Sequence, residues 1–252
     1  MTIPYTPTID PTVRDGATDA ARLKAKADQV AKGGARAAVL GVNDGLVSNL
    51  CLILGVAGAS STPSAVRIAG LASLVAGAFS MAAGEWISVR SQVELLQGVL
   101  VELRTLTARN PKLVLDTLAE HLIDVGLEAS TARKATTELP LSEEAFFGFT
   151  ARTVFGLNPD ELGSPRTAAV SSLGLFAVGA IVPLAPWFVT SGGLASVLSV
   201  VLTGLASLIV GAWVGRSSGG SQSRTALRQL LIVIVVAAVT FGIGKLVGTA
   251  VN

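Results

Sequence analysis

The amino-acid sequence predicts an all-α integral membrane protein with five transmembrane helices and a cytoplasmic helical bundle between spans 2 and 3. Three observations carry this. Half of the 252 residues are apolar, and the mean hydropathy is +0.63. Charged residues make up 14% of the chain, against roughly 25% in soluble domains. Stretches of bilayer-crossing length, nearly free of charge, recur along it.

Residues 1–35 read as a polar cytoplasmic segment. Pro4, Pro7 and Pro11 leave no apolar signal core there, so the spans themselves are expected to anchor the chain. Between Arg36 and Arg67 the only charge is Asp44, which gives span 1 at about 37–59. Ser60, Ser61, Thr62, Pro63 and Ser64 make a turn. Span 2 covers about 66–88, with Glu85 its only charge, so residues 36–88 hold the first two spans. Residues 167–252 hold the other three. No charge occurs from Thr167 to Gly215, and Pro183, Pro186 and the Thr190–Gly193 turn divide that run into spans 3 and 4. Span 5 starts near Leu227, contains the Leu230–Val236 aliphatic block and ends near Lys245.

The loops set the orientation. Six basic residues precede span 1, eight lie between 88 and 167, and Arg216, Arg224 and Arg228 lie between spans 4 and 5. The opposite side has only Arg67 and Lys245. By the positive-inside bias the N-terminus is cytoplasmic and the C-terminus is outside, and a multi-pass plasma-membrane protein is expected.

Residues 89–166 read as a cytoplasmic helical domain. Span 2 is expected to continue through Glu94 and Glu102. Asn110 caps a helix with Pro111 at its first position, and Gly126 stops it. Leu115, Leu118, Leu122 and Val125 follow at helical spacing within it. A further helix covers about 129–139, ended by Pro140. Ser142, Glu143 and Glu144 open the next, which Gly156 ends. The lone cysteine, Cys51, excludes a disulfide framework and reads as a small buried apolar residue.

The chain has 17 acidic residues, and all but Asp44 and Glu85 fall in the segments read as cytoplasmic. A carboxylate within a span costs at least ~2.5 kcal/mol on insertion scales, so both are candidates for function. Asp44 lies eight residues after Arg36 on the way out, and Glu85 five before Arg90 on the way in. Both therefore fall in the cytoplasmic half of the bilayer, within about one helical turn of the same level. Met81, Glu85 and Ser88 share one helix face, as do Asp44, Ser48 and Cys51, with Asn43 and Asn49 flanking the second. Carboxylates, hydroxyls, amide oxygens and a thioether suit a first-row divalent cation, and the sulfur disfavours Mg²⁺ and Ca²⁺. The plainer alternative has Asp44 pairing within the bundle, Glu85 at the wet interface and Met81 packing. The glycines of the first two spans read as close-packing positions.

The stretches RAAVLGVNDGLVSNLCLILGVAG (Arg36–Gly58) and AGLASLVAGAFSMAAGEWISVRSQVEL (Ala69–Leu95) resemble the first two spans of the vacuolar iron transporter family. GLNPDELGSPRTAAVSSLGLFAVGAIVPLAPW (Gly156–Trp187) resembles its third. The resemblance implies a homodimer in the lipid bilayer that exports Fe²⁺ or Mn²⁺ from the cytosol in exchange for protons, with no bound cofactor. It makes Asp44, Met81 and Glu85 the transport ligands, and the shared helix faces add Asn43, Ser48 and Ser88 as secondary candidates.

One segment departs from the family pattern. Where relatives carry glutamates after the proline, this chain has Lys112, Leu113, Val114, Leu115, Asp116 and Thr117. Arg152, Thr153, Val154 and Phe155 stand where glutamates would precede the later glycine. Glu120 and His121 are adjacent and so diverge by ~100° on a helix, which makes His121 a surface residue rather than a ligand. The bundle therefore reads as a scaffold or dimer contact. A membrane scaffold that kept the fold and lost transport is the competing class. An enzyme is not expected, because no span holds a histidine or a nucleophile–base pair. Nothing suggests nucleic-acid binding.

Overall fold

A computed structural model describes residues 34–59, 62–138, 142–159, 162–217 and 220–251. Most of the N-terminal segment (residues 1–33), the Ser60–Ser61 part of the first turn and the Pro140 helix stop lie outside them. The described residues form helices joined by short turns and loops, with no strand among them. In order they form α1 (Gly34–Gly58), α2 (Pro63–Arg109), α3 (Pro111–Asp124), α4 (Ala129–Thr137), α5 (Glu143–Val154), α6 (Pro165–Leu184), α7 (Pro186–Val189), α8 (Gly192–Ser217) and α9 (Gln222–Val251). Five of them, α1, α2, α6, α8 and α9, are long and apolar enough to cross a membrane.

Two compact units result, dividing within α2 at Phe79/Ser80 and within α6 at Val170/Ser171. The first unit holds the apolar helices. Lipid tails are as apolar as leucine, so helices associate there through close packing rather than by escape from water. Small residues make that possible. A Cβ on Gly45 would collide with the Phe176 carbonyl of α6, and one on Gly244 with the Gly55 carbonyl of α1. Backbones are therefore in direct contact on two sides of α1. Leu50 and Leu54 of α1 pack on Val233 and Ala237 of α9, while Ile53 and Val66 close around Leu184, Trp187 and Ala195.

The break between spans 3 and 4 falls where the prolines require it. Pro183 is the penultimate residue of α6, and Pro186 opens the single turn of α7. Neither can donate an amide hydrogen to the turn before it. Thr190 is extended, and Gly192 starts α8 at φ +65°, a left-handed conformation natural to glycine. The last helix begins ahead of the span expected from near Leu227, at Gln222. Ser221 accepts from the Arg224 amide through its hydroxyl at 3.4 Å, and its carbonyl accepts from Thr225. Arg224 and Arg228 are thus inside the helix, because charge marks a membrane boundary without stopping a helix.

The second unit begins with residues 80–109 of α2, whose 47 residues form one unbroken helix about 70 Å long. Its far end packs with α3 and α5, and α4 packs on α3. Leu100 and Leu103 of α2, Val114 of α3, and Phe147 and Ala151 of α5 form one core. Capping follows the sequence closely. Asn110 accepts from the Leu113 amide at 3.2 Å, and Ser142 from Ala145 at 3.3 Å. Gly126, at φ +106°, lets the Leu127 amide return to the Leu122 carbonyl. Glu128 caps α4, which ends at Thr137, slightly short of the expected 139. The buried stripe of α3 is Val114, Leu118 and Ala119, and Val125 is exposed as the residue beyond the helix end.

Candidate metal-transport residues

Asp44 sits on α1 within the apolar stretch Ala38–Gly58, and its side chain is exposed in the single chain. One turn further on, the Ser48 hydroxyl donates to Asp44 Oδ1 at 2.7 Å. This bond occupies one carboxylate oxygen and leaves Oδ2 without a hydrogen bond among the described residues. Leu40, one turn earlier, is 53% exposed. Leu40 and Asp44 therefore mark a face of α1 that its own unit does not cover. Cys51 is half-buried on the same face rather than enclosed.

Asn49 behaves differently from its neighbours. It is fully buried, and its Nδ2 donates to the Ala180 carbonyl of α6 at 2.6 Å. Sequence spacing places Asn49 and Asn43 together at the flank of Asp44. The fold commits Asn49 to α6 instead and leaves Asn43 half-buried. The Ser199 hydroxyl makes a matching bond to the Pro183 carbonyl, also at 2.6 Å. Sequence reasoning missed both contacts, since no local pattern announces a bond between residues 131 or 16 positions apart on different helices.

On α2, Met81 and Glu85 are half-buried and Ser88 is exposed. All three lie at one-turn spacing on a continuous helix, so they share a face. They belong to the second compact unit, and Asp44 to the first. Among the described residues no three His, Cys, Asp or Glu side chains form a group that could hold a metal.

Several carboxylates of the second unit already face cations. Glu94 bonds Arg90 at 2.6 Å, and Glu144 receives a two-pronged contact from Arg104 at 2.5 and 2.6 Å. The same Arg104 guanidinium stacks over the Phe147 ring at 4.9 Å. Glu138 lies 3.9 Å from Lys134. Asp116, Glu102 and Glu120 are exposed, and His121 is half-buried.

Residues 35–245 match the VIT family. Vacuolar iron transporter 1 of Eucalyptus grandis is 30% identical over 211 residues, 83% of this chain and 84% of that protein. Vacuolar iron transporter homolog 2 of Arabidopsis thaliana is 30% identical over 214 residues, 84% of each. Vacuolar iron transporter homolog 1 of Oryza sativa subsp. japonica is 33% identical over 219 residues, 84% of this chain and 73% of that protein. These relatives correct the expected plasma-membrane location, since each is named for the vacuole. The physical reason is simple. Loop charge sorts cytosolic from non-cytosolic faces, but it does not identify the membrane being crossed.

Proposed function

Because the chain belongs to the VIT family, we propose that it moves Fe²⁺ and/or Mn²⁺ out of the cytosol in exchange for protons, as a homodimer. It is a multi-pass membrane transporter of metal ions, with iron as substrate, and not an enzyme. The finer reading rests on one observation: an apolar span presents an exposed carboxylate, Asp44, oriented by Ser48. A carboxylate facing lipid tails is costly, so a protein surface or a cation must meet it. A second copy laid against the Leu40–Asp44 face supplies that surface and places two such carboxylates near one symmetry axis.

The chemistry follows from the donor set. A divalent ion leaving water needs negative charge to replace its hydration, and Asp44 and Glu85 offer it. The Met81 thioether favours a softer first-row ion over Mg²⁺ or Ca²⁺. Carboxylates bind metal only when deprotonated, so metal and proton compete for the same oxygens. That competition is a direct physical route to exchange. The helices of the second unit then serve as a scaffold, contributing to metal homeostasis through the dimer rather than by collecting ions.

The test is flux in proteoliposomes holding the purified full-length chain. Asp44→Asn keeps the shape and removes the charge, and it is expected to reduce Fe²⁺ and Mn²⁺ flux to background while the dimer persists. Wild-type flux in this variant would remove the assignment of Asp44. Absence of flux in the wild type, with an intact dimer, would favour a non-transporting scaffold.

A further inference from the structure

From Leu162 to the end of the chain there is no acidic residue. Yet Arg216 in the last turn of α8 and Arg224 and Arg228 in the first turns of α9 are all exposed. None of the three forms an ion pair among the described residues. Three arginines with no carboxylate partner among the described residues, at one end of two apolar helices, suit an anion.

The helix faces show which kind. α9 packs on α8 through Gln222 against Gly215 and through Ala226 against Gly211. Arg224 and Arg228 are each two residues on from these contacts, so they point away from α8. They sit one turn apart, and their face continues through Leu231 and Val235, 52% and 59% exposed. Lys245 lies 17 positions after Arg228, about 25 Å of helix, which places Arg228 close to the edge of a hydrocarbon core of ~30 Å. On α8, Trp213 is half exposed one turn before Arg216, the usual depth for an interfacial tryptophan. A charged pair thus runs without interruption into a lipid-facing aliphatic stripe.

We propose that the Arg224–Arg228 face of α9 is a binding site for an anionic phospholipid of the leaflet on that side. The guanidiniums grip the headgroup phosphate in their forked geometry, and the acyl chains lie along Leu231 and Val235. A soluble phosphate would use only the arginines and leave the stripe unused. A second copy is a poor occupant, because two-fold symmetry would set this patch of like charge against itself.

The experiment uses the full-length purified chain in detergent, titrated with phosphatidylglycerol, phosphatidylcholine or inorganic phosphate. Native mass spectrometry and thermal unfolding are the readouts. Phosphatidylglycerol is expected to be retained and to raise the unfolding temperature, with neither effect from phosphatidylcholine or inorganic phosphate. Replacing both arginines (Arg224→Gln with Arg228→Gln) should weaken retention roughly thirtyfold, about fivefold for each arginine. Lys245→Gln, at the other end of the helix, should leave it unchanged. Equal retention of both lipids by the wild type would overturn the proposal even if the variant failed to fold. So would an equal effect from inorganic phosphate, or a loss of dimer as the variant's main defect.

Discussion

The Asn49 amide donates to the Ala180 carbonyl across 2.6 Å, on the same side of α1 as the close contact of Gly45 with Phe176. Asp44 lies five residues earlier, about 140° around the helix, and so is turned away from α6. The contact also binds α1 to the turn just before Pro183, where the α6 hydrogen-bond ladder is interrupted. A buried polar contact and the glycine contacts thus turn the same side of α1 toward α6, and the candidate ligand away from it.

Asn49→Ala is expected to destabilise the membrane unit by about 1–2 kcal/mol, the range for a lost buried hydrogen bond between helices. Flux should fall together with the thermal transition, because Asp44 loses its fixed direction. Asn49→Asp at neutral pH should be worse, since it buries a charge in place of a donor. Unfolding curves of the two variants in detergent would decide this. A fully stable Asn49→Ala chain would mean that the glycine contacts alone orient α1.

Glu85→Gln should lower flux of every divalent ion without changing the order of preference. Met81→Leu keeps nearly the same volume, so stability should change by less than ~1.5 kcal/mol. Its effect should appear as selectivity, with Fe²⁺ and Mn²⁺ losing ground to Mg²⁺ as the sulfur ligand disappears. Competition flux with the three ions measures both effects. Unchanged ratios in Met81→Leu would return Met81 to the role of a packing residue.

The second unit should not store metal. Glu94, Glu144 and Glu138 face Arg90, Arg104 and Lys134, and the residues following Pro111 are mostly not carboxylates. Calorimetry of Mn²⁺ on full-length Asp44→Asn with Glu85→Gln is therefore expected to show no stoichiometric micromolar site. Such a site would have to come from Glu102, Asp116 or Glu120 regrouped between protomers, and it would restore a collecting role to this unit.

Thr190, in the bend before α8, and Ser221, at the start of α9, should label from opposite sides of the membrane. Cys51 is the only cysteine, so a Cys51→Ser background gives clean single-cysteine probes. In that background, Thr190→Cys should react with an impermeant maleimide from the non-cytosolic face and Ser221→Cys from the cytosolic face. Reaction of both from one side would break the five-span topology.

The sequence by itself determined the helical class, the five apolar spans and most of their punctuation. Those signals are local: apolar length, the prolines at 183 and 186, the caps at Asn110 and Ser142, and the stop at Gly126. Each acts within a turn or two of its own position, so one chain suffices to read it. Sequence also isolated Asp44 and Glu85, because a carboxylate stands out against an apolar run. Tertiary structure alone decided how those helices are rotated and what they touch. It turned Asn49 into α6 and away from Asp44, and joined Arg104 to Glu144 across 40 positions. It also set Arg224 and Arg228 inside α9 and on its outer side. In a bilayer both faces of a span are apolar, so periodicity hardly marks an inward side. Backbone contact at glycines and a few interhelical hydrogen bonds choose it instead.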